Sequence, residues 1–418
     1  MANTLKSSFV TGWLLDPFQP TEQHARGPFR PVLNKLLWIV PLMVGIAGLA
    51  VALVGLSVDR EQFFFSYLVG WTTCLTIALG ALFFVLIQHL TKARWSVVVR
   101  RIAESLTWSF PLLALLSLPI FFGMHDLYHW AHHDVMDPSS PHFDPVLKGK
   151  ESYLNVPFFI VRAVIYLGGW TLLSFLLYRT SLRQDVDADP SIPARQRKIS
   201  AIGLAFTAVS TAFASYDFVM STDPHWFSTI FGVYFFAASF WTAHAVIALA
   251  AVLLQKSNGL NGVVTEEHYH DLGKLMFGFT VFWTYIAFSQ YMLIWYGNLP
   301  EETLWYRERL EHGWQTHSAI LLLFHFVVPF WVLLARTVKR NGTLLAGVAI
   351  WFVLMDWFDM HWLIMPTHSP EAGISWITLA AGIGLLGIFF SAFMYRLNRH
   401  SLVPQNDPNI AKSIVFAT

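Results

Sequence analysis

The chain of 418 residues has a single cysteine, Cys74, set in an apolar run. One thiol excludes an intrachain disulfide framework and an all-thiolate metal site. Charge is also scarce: 13% of the residues are Asp, Glu, Lys or Arg, against 55% hydrophobic, which no ordinary soluble domain shows. The formal net charge of +1 provides no basic stripe for a nucleic acid. No C-x-x-C-H occurs, so covalently attached haem is excluded. The opening segment MANTLKSSFVTGWLLDPFQPTEQHARGPF has no charged start, apolar centre and small-residue cleavage site of a signal peptide; it reads as a polar arm over 1–31 that stays on the protein. No internal repeat or low-complexity run stands out.

What the chain does have is apolar length and aromatics, including 18 Trp and 36 Phe, residues that crowd bilayer interfaces. Ten stretches are long enough to cross about 30 Å of hydrocarbon: 33–57, 62–89, 98–123, 156–178, 199–220, 226–254, 272–297, 313–336, 344–366 and 373–395. Lipid offers the backbone no partner, so these spans are expected to be helices of an all-α polytopic membrane protein, with a transmembrane domain over 32–396 and a polar tail over 397–418. An even number of spans puts both termini on one side. That side, with the even-numbered connections, holds about 21 Lys and Arg; the odd-numbered connections hold about 5, and Arg162 is inside a span. The positive-inside rule then places both termini in the cytoplasm, and reads Arg100, Arg101, Arg195, Arg197, Lys198, Lys339 and Arg340 as topology signals.

Acids, imidazoles and tryptophans gather on the opposite, outer face. The stretch SYDFVMSTDPHWFST carries Asp217, Asp223 and His225 with no Lys or Arg inside it, and Pro224 is placed to help start the sixth helix. The stretch HDLYHWAHH holds His125, His129, His132 and His133, the H-x-x-x-H and H-x-x-H-H spacing of membrane di-iron oxygenases. On a helix, imidazoles four apart share a face and could hold a metal. A second H-x-x-H-H is missing, however, and the cluster is on the outer side, so a polar interfacial loop is favoured and no metal is assigned.

Ionisable groups within spans are costly and hint at function by default. In WFVLMDWFDMHW, Asp356 falls near mid-membrane and Asp359, three residues on, shares its face. His325 lies at a depth comparable to Asp356, with His317 nearer the outside. Tyr285, Ser289 and Gln290 line the seventh span; Glu104 marks the inner end of the third and His244 the inner half of the sixth. Arg162 and Asp217 are candidates for a structural ion pair. Together these groups tile the membrane's depth as a proton relay requires. His244 and His325 differ in depth by about 8 Å at 1.5 Å per residue, which argues against a shared haem b.

Several segments resemble one family. SYDFVMSTDPHWFSTIFGVYFFAASF, FWTYIAFSQYMLIWYGNLPEETLWYRERLEHGW, HFVVPFWVLL and YLNVPFFIVRAVIYL, with the Asp- and Trp-rich ninth span, are similar to a ten-span membrane subunit of alternative complex III. That complex is a bacterial quinol:cytochrome c oxidoreductase, and the ten-span chain resembled belongs to the polysulfide-reductase (NrfD-like) superfamily. The resemblance covers most of 31–395. It implies two four-helix bundles plus a peripheral helix pair in the bacterial inner membrane. The partners it implies are a paralogous quinol-oxidising membrane subunit, a periplasmic iron–sulfur subunit and c-type cytochrome subunits. Haem c and iron–sulfur clusters would reside in those partners, and no redox cofactor in this chain, with contact to quinol or menaquinol left open. The role implied is proton translocation. Asp217, Asp223 and His225 would then form the outer mouth, His317, His325, Asp356 and Asp359 the middle, and Glu104 and His244 the inner mouth. The rival readings are a purely structural anchor for the redox subunits, and a quinol site in this chain lined by Asp126, His129, His132 and Asp217. A His-box oxygenase is a further one.

Overall fold

The computed structural model describes residues 34–257 and 259–416; the arm over 1–31 lies outside the described residues. Ten helices among them are long and apolar enough to cross a membrane: α1 Leu36–Val58, α2 Arg60–Leu90, α3 Val97–Phe122, α4 Val156–Val186, α5 Ile192–Thr222, α6 Phe231–Lys256, α7 Glu266–Gly297, α8 Trp314–Leu334, α9 Gly342–His368 and α10 Trp376–Leu397. No strand occurs among the described residues. The protein is therefore an all-α, multi-pass membrane protein.

Helices α2, α3, α4 and α5 pack as one four-helix group and α6, α7, α8 and α9 as another, joined where α2 meets α6 and α9; α1 pairs with α10 along the outside. Small residues make the central contact possible. A Cβ on Gly80 of α2 would sit 1.9 Å from the Ser239 carbonyl oxygen of α6. Without a hydrophobic force between helices in lipid, such close backbone approach supplies the packing energy. Gly80→Ala is expected to lower the thermal midpoint in detergent by forcing α2 and α6 apart, an overpacking cost of about 1–3 kcal/mol. Gly168→Ala in α4, where a Cβ meets nothing within 4 Å, is the control. Equal midpoints for the two variants would show that the α2–α6 contact yields freely.

The helices run beyond their apolar runs. α4 reaches Val186, α5 starts at Ile192 and α7 at Glu266, because hydrogen-bonded turns continue into the polar flanks while hydropathy registers only the hydrocarbon-deep part. In the opposite sense, α6 starts at Phe231 with Ile230 as its N-cap. Pro224 therefore does not open that helix; its carbonyl accepts from Lys150 Nζ at 2.6 Å. α3 is broken into three segments, with Pro111 and Pro119 in the first turns of the second and third, where a missing N–H costs nothing.

The end of the bundle that carries both described termini is more elaborate than its basic residues imply. Arg101 makes paired contacts of 2.9 Å with both Asp185 oxygens and 3.1 Å with Glu104. Arg100 reaches Glu104 at 3.3 Å and Asp407 at 2.7 Å. Both arginines are buried. They are structural cations that fasten the 397–416 tail to α3 and α4, in addition to any topological role. The tail is folded back, with Leu402 and Val403 in the core and Ser413 Oγ donating to the Trp95 carbonyl at 2.7 Å.

Candidate functional site

Helix α9 is fixed at its start by Asn341, whose side chain accepts from the Thr343 and Leu344 amides at 3.0 and 3.1 Å. Fourteen residues beyond Gly342, about 21 Å along the axis at 1.5 Å per residue, stands Asp356. One of its oxygens accepts from Thr76 Oγ1 of α2 at 2.7 Å. Asp359, a turn further, accepts from the Tyr234 hydroxyl of α6 at 2.5 Å. Both acids are fully buried. The second oxygen of each, Oδ1 of Asp356 and Oδ2 of Asp359, makes no hydrogen bond of ordinary geometry, although the Thr242 hydroxyl lies close to Asp356 and the Trp283 indole N–H close to Asp359. No Lys, Arg or His lies within ion-pair distance of either among the described residues. Two carboxyls at the junction of the helix groups, each half-satisfied and neither compensated, are expensive in a medium that solvates charge poorly.

Several imidazoles lie on the helices that hold this pair, none of them bonded to either acid. His325 sits in a single π-helical turn of α8, Leu322–Val327, just before Pro329; wide turns of this kind recur at functional sites. Its ring lies between Trp241, at 4.0 Å between centroids and 16° between planes, and Trp283, at 3.7 Å and 24°, with both ring nitrogens unpartnered. His361 on α9 is likewise buried with two unpartnered nitrogens. It faces His317 of α8 with ring centroids 5.8 Å apart. Two residues from Asp359, it projects from another side of the helix, and no hydrogen bond joins the two. His244 Nδ1 bonds the Phe240 carbonyl at 2.5 Å, while the ring lies edge-on to Phe84 and Phe240. His244 and His325 thus have separate aromatic surroundings.

Asp217, Glu104 and His225 are engaged by partners. Asp217 was considered both for the outer mouth and as the partner of Arg162, and the structure shows the pair: Arg162 of α4 grips it with two bonds of 2.8 Å, and the Tyr166 hydroxyl adds a third at 2.9 Å. The cation comes from a neighbouring helix, not from the 215–229 stretch. Glu104 lies between Arg100 and Arg101. His225 Nε2 contacts Asp144 at 2.6 Å. Burial opposes ionisation of Asp144, but His225 and the Leu147 and Val146 amides outweigh it and hold the carboxyl below the usual range. Asp223 shares its surroundings with Glu308, an acid that the sequence reading did not single out. Desolvation first, and then the Asp223 charge, raise the Glu308 carboxyl above its ordinary value.

Residues 124–133 do not form one helix: a single turn, Met124–Leu127, is followed by a 3-10 turn, His129–Ala131. The shared imidazole face needed for a His box therefore does not arise. His132 Nε2 bonds the His125 carbonyl at 2.8 Å. Among the described residues no group of three or more His, Cys, Asp or Glu is placed to hold a metal ion. Asp126 is held by Arg60 at 3.0 Å and Asp217 by Arg162, so the acids of the Asp126, His129, His132 and Asp217 set are engaged separately. Tyr285, expected to line the interior of α7, is 63% exposed on its outer face, whereas Gln290 is buried.

Thr76, Tyr234 and His361 escaped the sequence reading. His361 carried a usable signal, an ionisable group within the same twelve-residue stretch as both aspartates. Thr76 and Tyr234 carried none, since hydroxyls are common in spans and their roles depend on which helices meet. The architecture and the site define a class, multi-pass helical membrane proteins with uncompensated acids at mid-depth. Compared with family models and with curated proteins, the chain matches none.

Proposed function

We propose that this chain is a membrane subunit that conducts protons coupled to quinol oxidation in a bacterial quinol:cytochrome c oxidoreductase of the alternative complex III type. It would lie in the inner membrane with both termini in the cytoplasm. The observation that carries the reading is the Asp356–Asp359 pair: buried, three residues apart, hydroxyl-bonded through one oxygen each, and without a cation. Packing alone rewards closed pairs such as Arg162–Asp217. It does not reward two open acids in the same helix, whereas a relay needs groups that can take up and release a proton.

The path proposed follows the junction of α2 with the second helix group. Asp356 and Asp359 form its middle, with Thr76 and Tyr234 as hydroxyl links, and His317 and His361 lead toward the end that bears the Pro300–Glu308 helix. Asp223, with Glu308, and His225 would stand at the outer mouth; His244 and His325 border the centre. Glu104 and Asp217, each held by arginine, serve the framework on this reading. The partners proposed are a paralogous quinol-oxidising membrane subunit, an iron–sulfur subunit and c-type cytochromes, which would hold the redox groups.

The purely structural anchor is the competing reading. Membrane vesicles containing the whole complex separate the two, with proton release counted per electron passed to cytochrome c. Tyr234→Phe, which removes the hydroxyl on Asp359 and nothing else of size, is expected to lower that ratio while quinol oxidation continues. An unchanged ratio in both Tyr234→Phe and Thr76→Val would favour the anchor.

A further inference from the structure

At the end of the bundle that carries both described termini, a cavity of about 680 Å³ opens between the turn after α2, the start of α5 and the folded tail. Its volume is within the range of small-molecule sites. Lys92 and Arg94 enter it from the turn and Arg197 from the second turn of α5, while Trp95, Asn409 and Phe416 complete the wall. Among the described residues no carboxylate lines it. The acids of the neighbouring segments are engaged elsewhere: Glu104 and Asp185 by Arg101, Asp407 by Arg100 and Asp187 by Arg183. Asp189 accepts from the Ser191 hydroxyl at 2.7 Å. The side chains of Lys92, Arg94 and Arg197 make no ion pair or hydrogen bond with another described residue. Three like charges around one cavity repel each other, and no described group offsets them.

Lys92 also stands where glycine is usual. It closes α2 in the left-handed region, at φ 53°. Its amide bonds the His89 carbonyl at 3.3 Å, and the Ala93 amide bonds the Gln88 carbonyl at 3.1 Å. This paired closure of a helix end most often takes glycine, because a Cβ is disfavoured at positive φ. The lysine strains the backbone there without gaining a described partner. What it adds is an ammonium at the rim of the cavity.

From this arrangement we infer that the cavity is a site for a phosphate group, carried by an anionic phospholipid head or free in solution. Each guanidinium presents a planar fork that matches two phosphate oxygens, and the ammonium acts as a point charge beside them. The Asn409 amide adds an uncharged donor. A carboxylate has only two oxygens and cannot serve two forks and an ammonium at once. Basic pockets between helices at a membrane surface suit such head groups, and Trp95 is of the type that lies at that depth. The inference concerns binding only and stands independently of proton conduction.

The test uses the full chain with two probes. In phosphatidylcholine vesicles, spin-labelled phosphatidylglycerol is compared with spin-labelled phosphatidylcholine for the fraction held at the protein. In detergent, radiolabelled inorganic phosphate is measured by equilibrium dialysis. Saturable binding of at least one probe is expected; the lipid alone makes the head group the source, and phosphate alone makes it a soluble anion. Arg94→Gln and Arg197→Gln are each expected to weaken binding about five-fold. Lys92→Gly should weaken it similarly while leaving the thermal midpoint no lower than the parent's, which separates lost charge from lost folding. Arg195→Gln and Lys198→Gln remove exposed cations of the same helix that do not line the cavity, and should bind as the parent does. Absence of saturable binding of both probes overturns the inference. Equal losses in the cavity variants and in the Arg195 and Lys198 variants overturn it too, by reducing the effect to general surface charge.

Discussion

Asp356→Asn is expected to reduce proton release per electron to the chemical yield of quinol oxidation alone, with electron transfer to cytochrome c retained. Asparagine matches aspartic acid in size and can still accept from Thr76 Oγ1, now 2.7 Å from the carboxyl, so packing between α2 and α9 should survive. What it cannot do is bind and release a proton. The oxygen of Asp356 that makes no ordinary hydrogen bond becomes either an amide nitrogen or an amide oxygen, and neither titrates in the working range. Asp359→Asn should act in the same direction, and the double variant no more strongly than either single one, because groups in series fail as a unit. The measurement is the proton-to-electron ratio in sealed vesicles. A ratio equal to the parent's would remove Asp356 from any path.

Arg162→Met is expected to be the most destabilising single change in the first helix group. It removes both 2.8 Å bonds to Asp217 and the cation stacked 3.8 Å from the Tyr153 ring centre, and it leaves a buried carboxylate alone with the Tyr166 hydroxyl. Stranding one partner of a buried pair costs about 3–5 kcal/mol, whereas replacing both by apolar groups of similar volume is often neutral. The double variant Arg162→Met with Asp217→Leu should therefore recover most of the lost thermal stability in detergent. Failure of the double variant to recover would show that Asp217 contributes through something other than this pair. The contrast with Asp356 is physical: one acid has its charge neutralised in place, the other has only uncharged hydroxyls beside it.

The apolar spans and the two mid-depth aspartates were legible because each depends on local facts. A run of twenty apolar residues has one stable form in lipid, and a spacing of three puts two side chains on one face of any helix. Helix ends were less legible, since turns at Glu266 and Ile192 lie in polar sequence. Arg100 and Arg101 looked like residues of a charged flank, and their burial against Asp185, Glu104 and Asp407 depends on residues up to 307 positions away. The Arg162–Asp217 pair, 55 residues apart, was legible only as a candidate, because a buried arginine and a buried acid in neighbouring spans invite pairing without requiring it.

Composition and periodicity were enough to establish a ten-pass helical membrane protein with a basic end, an acid-rich end and ionisable groups at depth, since hydrocarbon penalises any other use of those residues. Which acids are neutralised and which stand open was settled by helix packing alone. The close approach of α2 to α6 at Gly80, and of both to α9, brings Thr76 and Tyr234 to the carboxyls, and no arginine among the described residues reaches them. A linear order of residues cannot encode that juxtaposition locally, because hydrogen bonds and ion pairs between helices act over a few ångströms in space and are indifferent to distance along the chain.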